Sequence, residues 1–269
     1  MTIFKIEWQN NKKSLLVWSI SLAVIIIGFM SIFPSMENSA MNEMMTTKLD
    51  ALPESMLKAF HLNSGPSLAE VTGFFAYVFQ YLFIASSMYA IILGNKMLVK
   101  EETDGTIEFL YAQPVSRKQI VMEKLLASVS ILSCFWLITY VSSLGITLFV
   151  NKGKLATDDV MSALSKVFVT EFFVLVFFLT LGFVLSSLIK RANLGLGMGI
   201  VFISYLLGIV GDLKEGLSFL KDISPMAQAG PAALLEADFN WELVIILFLV
   251  SALLVGATLF IYERKDLDI

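Results

Sequence analysis

The sequence holds one cysteine, Cys134, and one histidine, His61, in 269 residues. A single cysteine excludes an intrachain disulfide, so cysteine usage says nothing of the redox compartment. Cys134 lies in an apolar run and reads as a small packing residue. His61 has no second His or Cys near it at ligand spacing, which argues against a metal site. Charge is scarce: Asp, Glu, Lys and Arg make up 16% of the chain, against roughly 25% in soluble domains. No Gly-x-x-x-x-Gly-Lys-Ser/Thr loop occurs, so nothing cradles nucleotide phosphates; Gly94-Asn95-Lys96 has neither the spacing nor the context. His-Glu-x-x-His and Gly-x-Ser-x-Gly are missing too, which leaves no support for an intramembrane enzyme.

What the chain has is apolar length. Apolar residues make up 57% of it, with 22 Phe and 13 Met. About 20 mostly apolar residues cross a bilayer as a helix. Six runs qualify: 15–33, 71–94, 125–150, 167–189, 194–210 and 243–262. Lipid cannot satisfy open backbone groups, so each is expected to be helical, giving an all-α integral membrane protein built as one transmembrane domain. The first run exceeds the ~7–15 residues of a signal h-region. It ends at Phe33-Pro34-Ser35 without a small-x-small cleavage site, and so reads as a retained helix. The fifth is the weakest, being short and interrupted by Gly195, Gly197, Gly199 and Gly208.

Orientation follows from Lys and Arg. With the amino terminus inside, twelve fall on the cytoplasmic side and seven outside, and Arg117, Arg191 and Arg264 are all inside. Both termini are therefore expected in the cytoplasm. Trp8, Trp241 and Tyr262 flank spans as interfacial aromatics do. In the first outer loop, Leu52, Met56, Ala59 and Phe60 recur at helical spacing after Asp50-Ala51-Leu52-Pro53-Glu54. The last outer loop, 212–242, is half apolar and broken at Ser224-Pro225 and Gly230-Pro231. Short helices resting on or dipping into the membrane fit it.

Four polar or small-residue features invite a function. Met1–Lys13 mixes Ile3, Phe4, Ile6 and Trp8 with Lys5, Glu7, Lys12 and Lys13, which reads as an in-plane interfacial helix or a mobile polar tail. Gly195-x-x-x-Gly199 permits close helix approach, either inside the chain or at a subunit interface or transport path. Glu171 is the acidic residue within a span. One turn from the outer end and near Lys166, it is expected to reach interfacial water, with a cation or proton site as the alternative. The fourth is the loop between the second and third spans. Ile107, Leu110 and Tyr111 share a face, Pro114 breaks the helix, and Ser116-x-x-Gln119 has the capping-box pattern ahead of the next span.

Glu101-x-x-x-Gly105-Thr106-Ile107-Glu108-x-Leu110-x-x-x-Pro114-Val115-Ser116-Arg117 resembles the signature of ABC-2-type permeases, the membrane subunits of a group of ABC transporters. Phe4-Lys5-Ile6-Glu7-Trp8, the Phe33-Pro34-Ser35-Met36 end of the first span, and Leu52-Pro53-x-x-x-Leu57-x-x-Phe60 resemble one branch of that family. The resemblance implies six helices with cytoplasmic ends and a coupling helix between helices 2 and 3. It implies an interfacial amino-terminal helix beside that coupling helix. Glu101, Gly105, Thr106, Glu108, Leu110, Pro114, Ser116 and Arg117 become candidates for docking an ATP-binding subunit. This chain would carry no cofactor, since ATP and magnesium belong to that partner, and would not itself be an enzyme. A second permease copy or a related permease is expected, together with membrane lipids and no nucleic acid. The implied role is export of a small molecule, peptide or lipid-like substrate across a bacterial plasma membrane. Two rivals stand beside it. A non-transporting partner of an ABC ATPase would keep the docking loop. An ion-gradient-driven transporter would favour inverted repeats or several buried charges.

Overall fold

The computed structural model describes residues 2–36, 67–106, 115–191 and 193–265. Among them every regular element is helical, and six helices are long and apolar enough to cross a membrane. In chain order, α1 spans Thr2–Met30, α2 Phe33–Met36, α3 Val71–Met97, α4 Lys100–Thr103, α5 Arg117–Asn151, α6 Thr157–Leu188 and α7 Leu194–Leu213. A 3-10 turn (Glu215–Leu217) and three short helices follow: α8 Phe219–Ile223, α9 Pro225–Gln228 and α10 Pro231–Glu236. The last long helix is α11, Trp241–Arg264. The stretch expected as an amphipathic helix, Leu52 to Phe60, lies outside the described residues.

Several helices outrun the apolar segments that announce them. The amino-terminal stretch, expected as an in-plane interfacial helix or a mobile polar tail, forms the first turns of α1. Its reason is a stripe: Ile3, Glu7, Asn11, Leu15, Ser19, Leu22, Ile26 and Met30 recur at helical spacing and are all buried. That stripe packs along α5, whose buried face runs through Ile120, Lys124, Ser128, Ile131 and Phe135. α6 likewise begins at Thr157 because Val160, Leu164 and Val167 continue its buried face outward.

α3 is the central post, buried on most of its surface and packed by α6, α5, α7, α1 and α10. Its seam with α6 is parallel. The Phe79 and Phe168 rings lie 4.7 Å apart, Gly94 meets Gly182 further along, and the Leu98 amide donates to Ser186 Oγ at 2.9 Å beyond that. The glycine pair makes the close approach possible. A Cβ on Gly94 would sit 2.2 Å from the Leu179 carbonyl oxygen, and one on Gly182 would sit 2.6 Å from that of Ile91. Trp136 of α5 completes an aromatic cluster over Phe79 and Phe168, its indole N–H donating to the Phe168 carbonyl at 2.8 Å.

α5 and α6 are joined by a turn that needs left-handed backbone at Lys152 (φ 48°) and Gly153 (φ 78°). Asn151 clasps it. Its side chain donates to the Leu155 carbonyl at 2.8 Å and accepts from the Leu155 amide at 3.0 Å. Asn193 and Asn240 cap α7 and α11 by accepting from the Leu196 and Leu243 amides.

α7 presents only small residues and one valine to the bundle: Gly197, Val201, Ser204, Gly208 and Gly211 are its buried positions. The α7–α11 connection folds back against that stripe. Ser224 donates to the Ser204 carbonyl at 2.6 Å, and a Cβ on Gly208 would overlap Ala227 at 2.9 Å. α10 then packs on α3 and α6, where Lys166 caps it by donating to the Leu235 and Ala237 carbonyls at 3.1 and 2.5 Å. Broken backbone beside a spanning helix needs protein or water partners, and Lys166 supplies them to the Leu235 and Ala237 carbonyls.

Candidate functional site: a polar hub beside the 107–114 segment

The first turns of α1, the flanks of the 107–114 segment, the α6–α7 turn and the end of α11 meet at one end of the bundle, and a buried ammonium joins the first two of these. Lys124 lies on the buried stripe of α5 and is 1% exposed. Its Nζ donates to Glu7 Oε1 of α1 at 2.7 Å, to the Met97 carbonyl at the end of α3 at 2.7 Å, and to Glu101 Oε1 of α4 at 2.5 Å. A lysine with three good acceptors is fully satisfied, which is what a buried ammonium requires. Asn11, one turn after Glu7, donates to the Glu7 backbone carbonyl at 2.9 Å and steadies that turn. The second Glu101 oxygen is buried without a partner.

Four further ties flank this centre. Ser186 Oγ of α6 accepts from the Leu98 and Val99 amides at 2.9 and 3.0 Å, satisfying backbone groups where α3 gives way to α4. Lys265, just past α11, pairs with Glu102 at 2.6 Å and donates to the Ile189 carbonyl at 2.9 Å. Arg117 opens α5 and donates through Nη1 to the carbonyls of Tyr262, Glu263 and Lys265 at 3.2, 3.0 and 2.8 Å. It therefore satisfies the orphan carbonyls at the end of α11. Asn95 on α3 donates to the Asn193 carbonyl at 2.7 Å and ties the α6–α7 turn to the same end.

The candidate docking residues fall around this hub. Glu101 and Arg117 point inward, one to Lys124 and the other to α11. Gly105 has left-handed backbone, φ 67°, and ends the turn that follows α4; Thr106 is exposed beside it. Ser116 caps α5, its Oγ accepting from the Gln119 amide at 3.2 Å. The return bond of the expected capping box, from the Ser116 amide to Gln119 Oε1, is not made, and Gln119 Nε2 donates to Glu123 Oε1 at 3.1 Å. Glu108, Leu110 and Pro114 lie outside the described residues.

Among the described residues, Gly195 and Gly199 meet no other helix at close range. Gly199 has nothing within 4 Å of where a Cβ would stand, and Gly195 meets only the Asn193 side chain. The close approach belongs to Gly94 and Gly182, on different helices and in no shared motif. Glu171 also departs from expectation. It is 0% exposed rather than interfacial, because α6 starts fourteen residues earlier, about 21 Å at ~1.5 Å per residue. An apolar groove between α5 and α6, lined by Trp136, Tyr140, Phe168 and Phe172, opens on another face of that helix.

Sequence reading missed Lys124, Glu7, Glu102, Ser186 and Lys265 as a group. A signal existed for two of them: Glu7 and Lys124 each occupy a position on an apolar stripe, where a charge is costly unless paired.

Six long apolar helices around a buried core, with polar residues gathered at one end, define a multi-pass helical membrane protein. A family model described as ABC-2 family transporter protein matches residues 1–267, and the chain belongs to that family, as a membrane component of an ABC transporter. Comparison with curated proteins gave no match.

Proposed function

We propose that the chain is the permease subunit of an ABC exporter, driven by ATP that a separate subunit binds with magnesium and hydrolyses. The observation that carries this reading is the Lys124 hub. It ties both flanks of the 107–114 segment to three spanning helices. A push on that segment passes through Glu101 and the Met97 carbonyl into α3, and through Arg117 into α5 and α11. A helix pair tied so stiffly moves as a unit, as a coupling element must. ATP can shift the bundle only by making different contacts in each state, and the segment between Gly105 and Arg117 is where a partner would make them.

The hub end is cytoplasmic in this reading, in keeping with the Lys and Arg bias, and the membrane is the plasma membrane of a bacterial cell. A second copy or a related permease completes the unit. The outward faces of α7 and α11 are apolar, with Phe202, Ile203, Leu249 and Leu253 exposed, and suit lipid or a neighbouring permease. The substrate is a small molecule, peptide or lipid-like compound.

The test is coexpression of the full chain with its ATP-binding subunit, copurification, and ATPase measurement in lipid nanodiscs. Glu108→Ala is expected to lower copurification or coupled ATPase activity at unchanged thermal stability of the chain. Absence of any copurifying ATP-binding subunit overturns the reading.

A further inference from the structure

Glu171 is the buried acid that the hub does not use. It lies on α6, well inside the spanning helix, and is 0% exposed. Neither carboxylate oxygen has a hydrogen-bond partner. The parallel α3–α6 seam sets its surroundings on the α3 side. Phe79 opposite Phe168 and Gly94 opposite Gly182 place Glu171 level with Leu82 and Phe83, both buried and apolar.

Among the described residues, no ionisable group of the helices packed on α6, Tyr205 of α7 included, makes a hydrogen bond to Glu171. Lys166 donates to the Leu235 and Ala237 carbonyls. Tyr140 of α5 shares a hydrogen bond with Ser165 at 2.8 Å. On α3, Tyr77 and Tyr81 meet edge to face and Tyr89 packs between Trp18 and Phe135, while Lys96 lies in the last turn. Glu236, Asp212 and Glu242 belong to the ends of α10, α7 and α11, as Glu263 and Arg264 do at the far end of α11.

An ionised carboxylate with no donor, in surroundings this apolar, costs several kcal/mol, whereas the neutral acid costs far less. A hydrophobic side chain would fill the same space at no such cost. An acid at this position has a use if the site opens during the working cycle.

We propose that Glu171 is a proton-exchange site inside the bundle. With the α3–α6 seam closed, as here, the side chain is a neutral acid. When the seam parts, the carboxyl O–H bond breaks, the proton passes to water admitted to the seam, and the electron pair stays on the carboxylate. Closure requires the proton back. α3 is the helix through which the hub would transmit movement, so loading and release of this proton follow the same displacement.

The experiment is infrared spectroscopy of the full chain in lipid nanodiscs at neutral pH, wild type against Glu171→Gln, first in H2O and then in D2O. It needs no partner subunit, so its outcome is separate from that of the coupling reading. A protonated-carboxyl C=O band is expected in wild type and absent from the neutral isostere. Transfer to D2O is expected to shift that band, because the seam opens and the proton exchanges. Glu171→Asp retains an acid and is expected to show a displaced band, which guards against misfolding of the Gln variant. No wild-type band in the protonated-carboxyl region beyond those of the Gln variant overturns the proposal, since Glu171 is then ionised. A band that never shifts in D2O also overturns it, since the acid is then locked and exchanges nothing.

Discussion

Lys124 and Glu101 stand on opposite sides of the 107–114 segment, with Lys124 Nζ 2.5 Å from Glu101 Oε1. One belongs to the helix that leaves the segment and the other to the helix that enters it. The ion pair therefore closes the loop at its base, and Glu7 joins it from the amino-terminal helix at 2.7 Å. The loop can move as a body, but its two ends cannot separate while the pair holds.

Removing the ammonium should be severe. Lys124→Met leaves Glu7 and Glu101 buried without their common partner, and stranding a buried ion costs about 3–5 kcal/mol. A large drop in thermal unfolding temperature is expected by intrinsic fluorescence in detergent. Adding Glu7→Gln and Glu101→Gln to Lys124→Met should recover most of it, because the desolvated charges are then gone. An equal drop in the triple variant would assign the loss to packing of the lysine stem instead.

Glu101→Gln alone should behave differently. Lys124 keeps Glu7 and the Met97 carbonyl, so the bundle remains folded with a smaller loss, about 1–2 kcal/mol. Coupled ATPase activity is expected to fall by more than that loss in stability explains, because the tie between the two flanks of the loop is weakened. Parallel ATPase and melting measurements on the same nanodisc preparations would separate the two effects.

The spans were legible because lipid imposes a length: about 20 apolar residues without charge stand out in any sequence. The helix ends were not legible. α1 and α6 continue into polar sequence on stripes such as Ile3, Glu7 and Asn11, and a charged residue on a stripe looks like loop until its partner is known. The partner of Glu7 is 117 residues away, so no local pattern joins them. The loop flanking residues could be picked out by resemblance, yet resemblance gave no hint that Arg117 turns inward to α11. The small-residue motif at Gly195 and Gly199 did not announce the close approach of Gly94 and Gly182 for the same reason. Close approach depends on which faces meet in three dimensions, and Gly94 and Gly182 carry no motif in common.

Arg117 supplies one Nη1 to three carbonyls past the last turn of α11. Lysine at this position has an ammonium but not the planar fork, so Arg117→Lys is not a conservative change here. Backbone amides around Tyr262 to Lys265 are expected to exchange hydrogen faster in Arg117→Lys, and faster still in Arg117→Ala, by mass spectrometry. Amides in the centre of α11 should be unchanged. Uniform exchange in all three proteins would mean that the carbonyls are held by something other than this guanidinium.

Gly182→Ala and Gly199→Ala add the same methyl to two spanning helices and should have opposite effects. At Gly182 the new Cβ falls 2.6 Å from the Ile91 carbonyl oxygen and 2.8 Å from the Asn95 amide nitrogen, both backbone atoms that no rotamer change can move. The α3–α6 seam must then shift, and overpacking of this kind costs about 1–3 kcal/mol or more. At Gly199 nothing lies within 4 Å, so the change should be neutral or should stabilise α7 by up to about 1 kcal/mol through helix propensity. Thermal unfolding of the two variants in a detergent chosen to keep the chain monomeric reads this difference directly. Comparing Gly199→Ala and wild type under conditions that preserve the oligomer adds a second reading. Destabilisation of Gly199→Ala there but not in the monomer would place a neighbouring copy against the open face of α7. Destabilisation in the monomer would contradict the open space seen at that glycine.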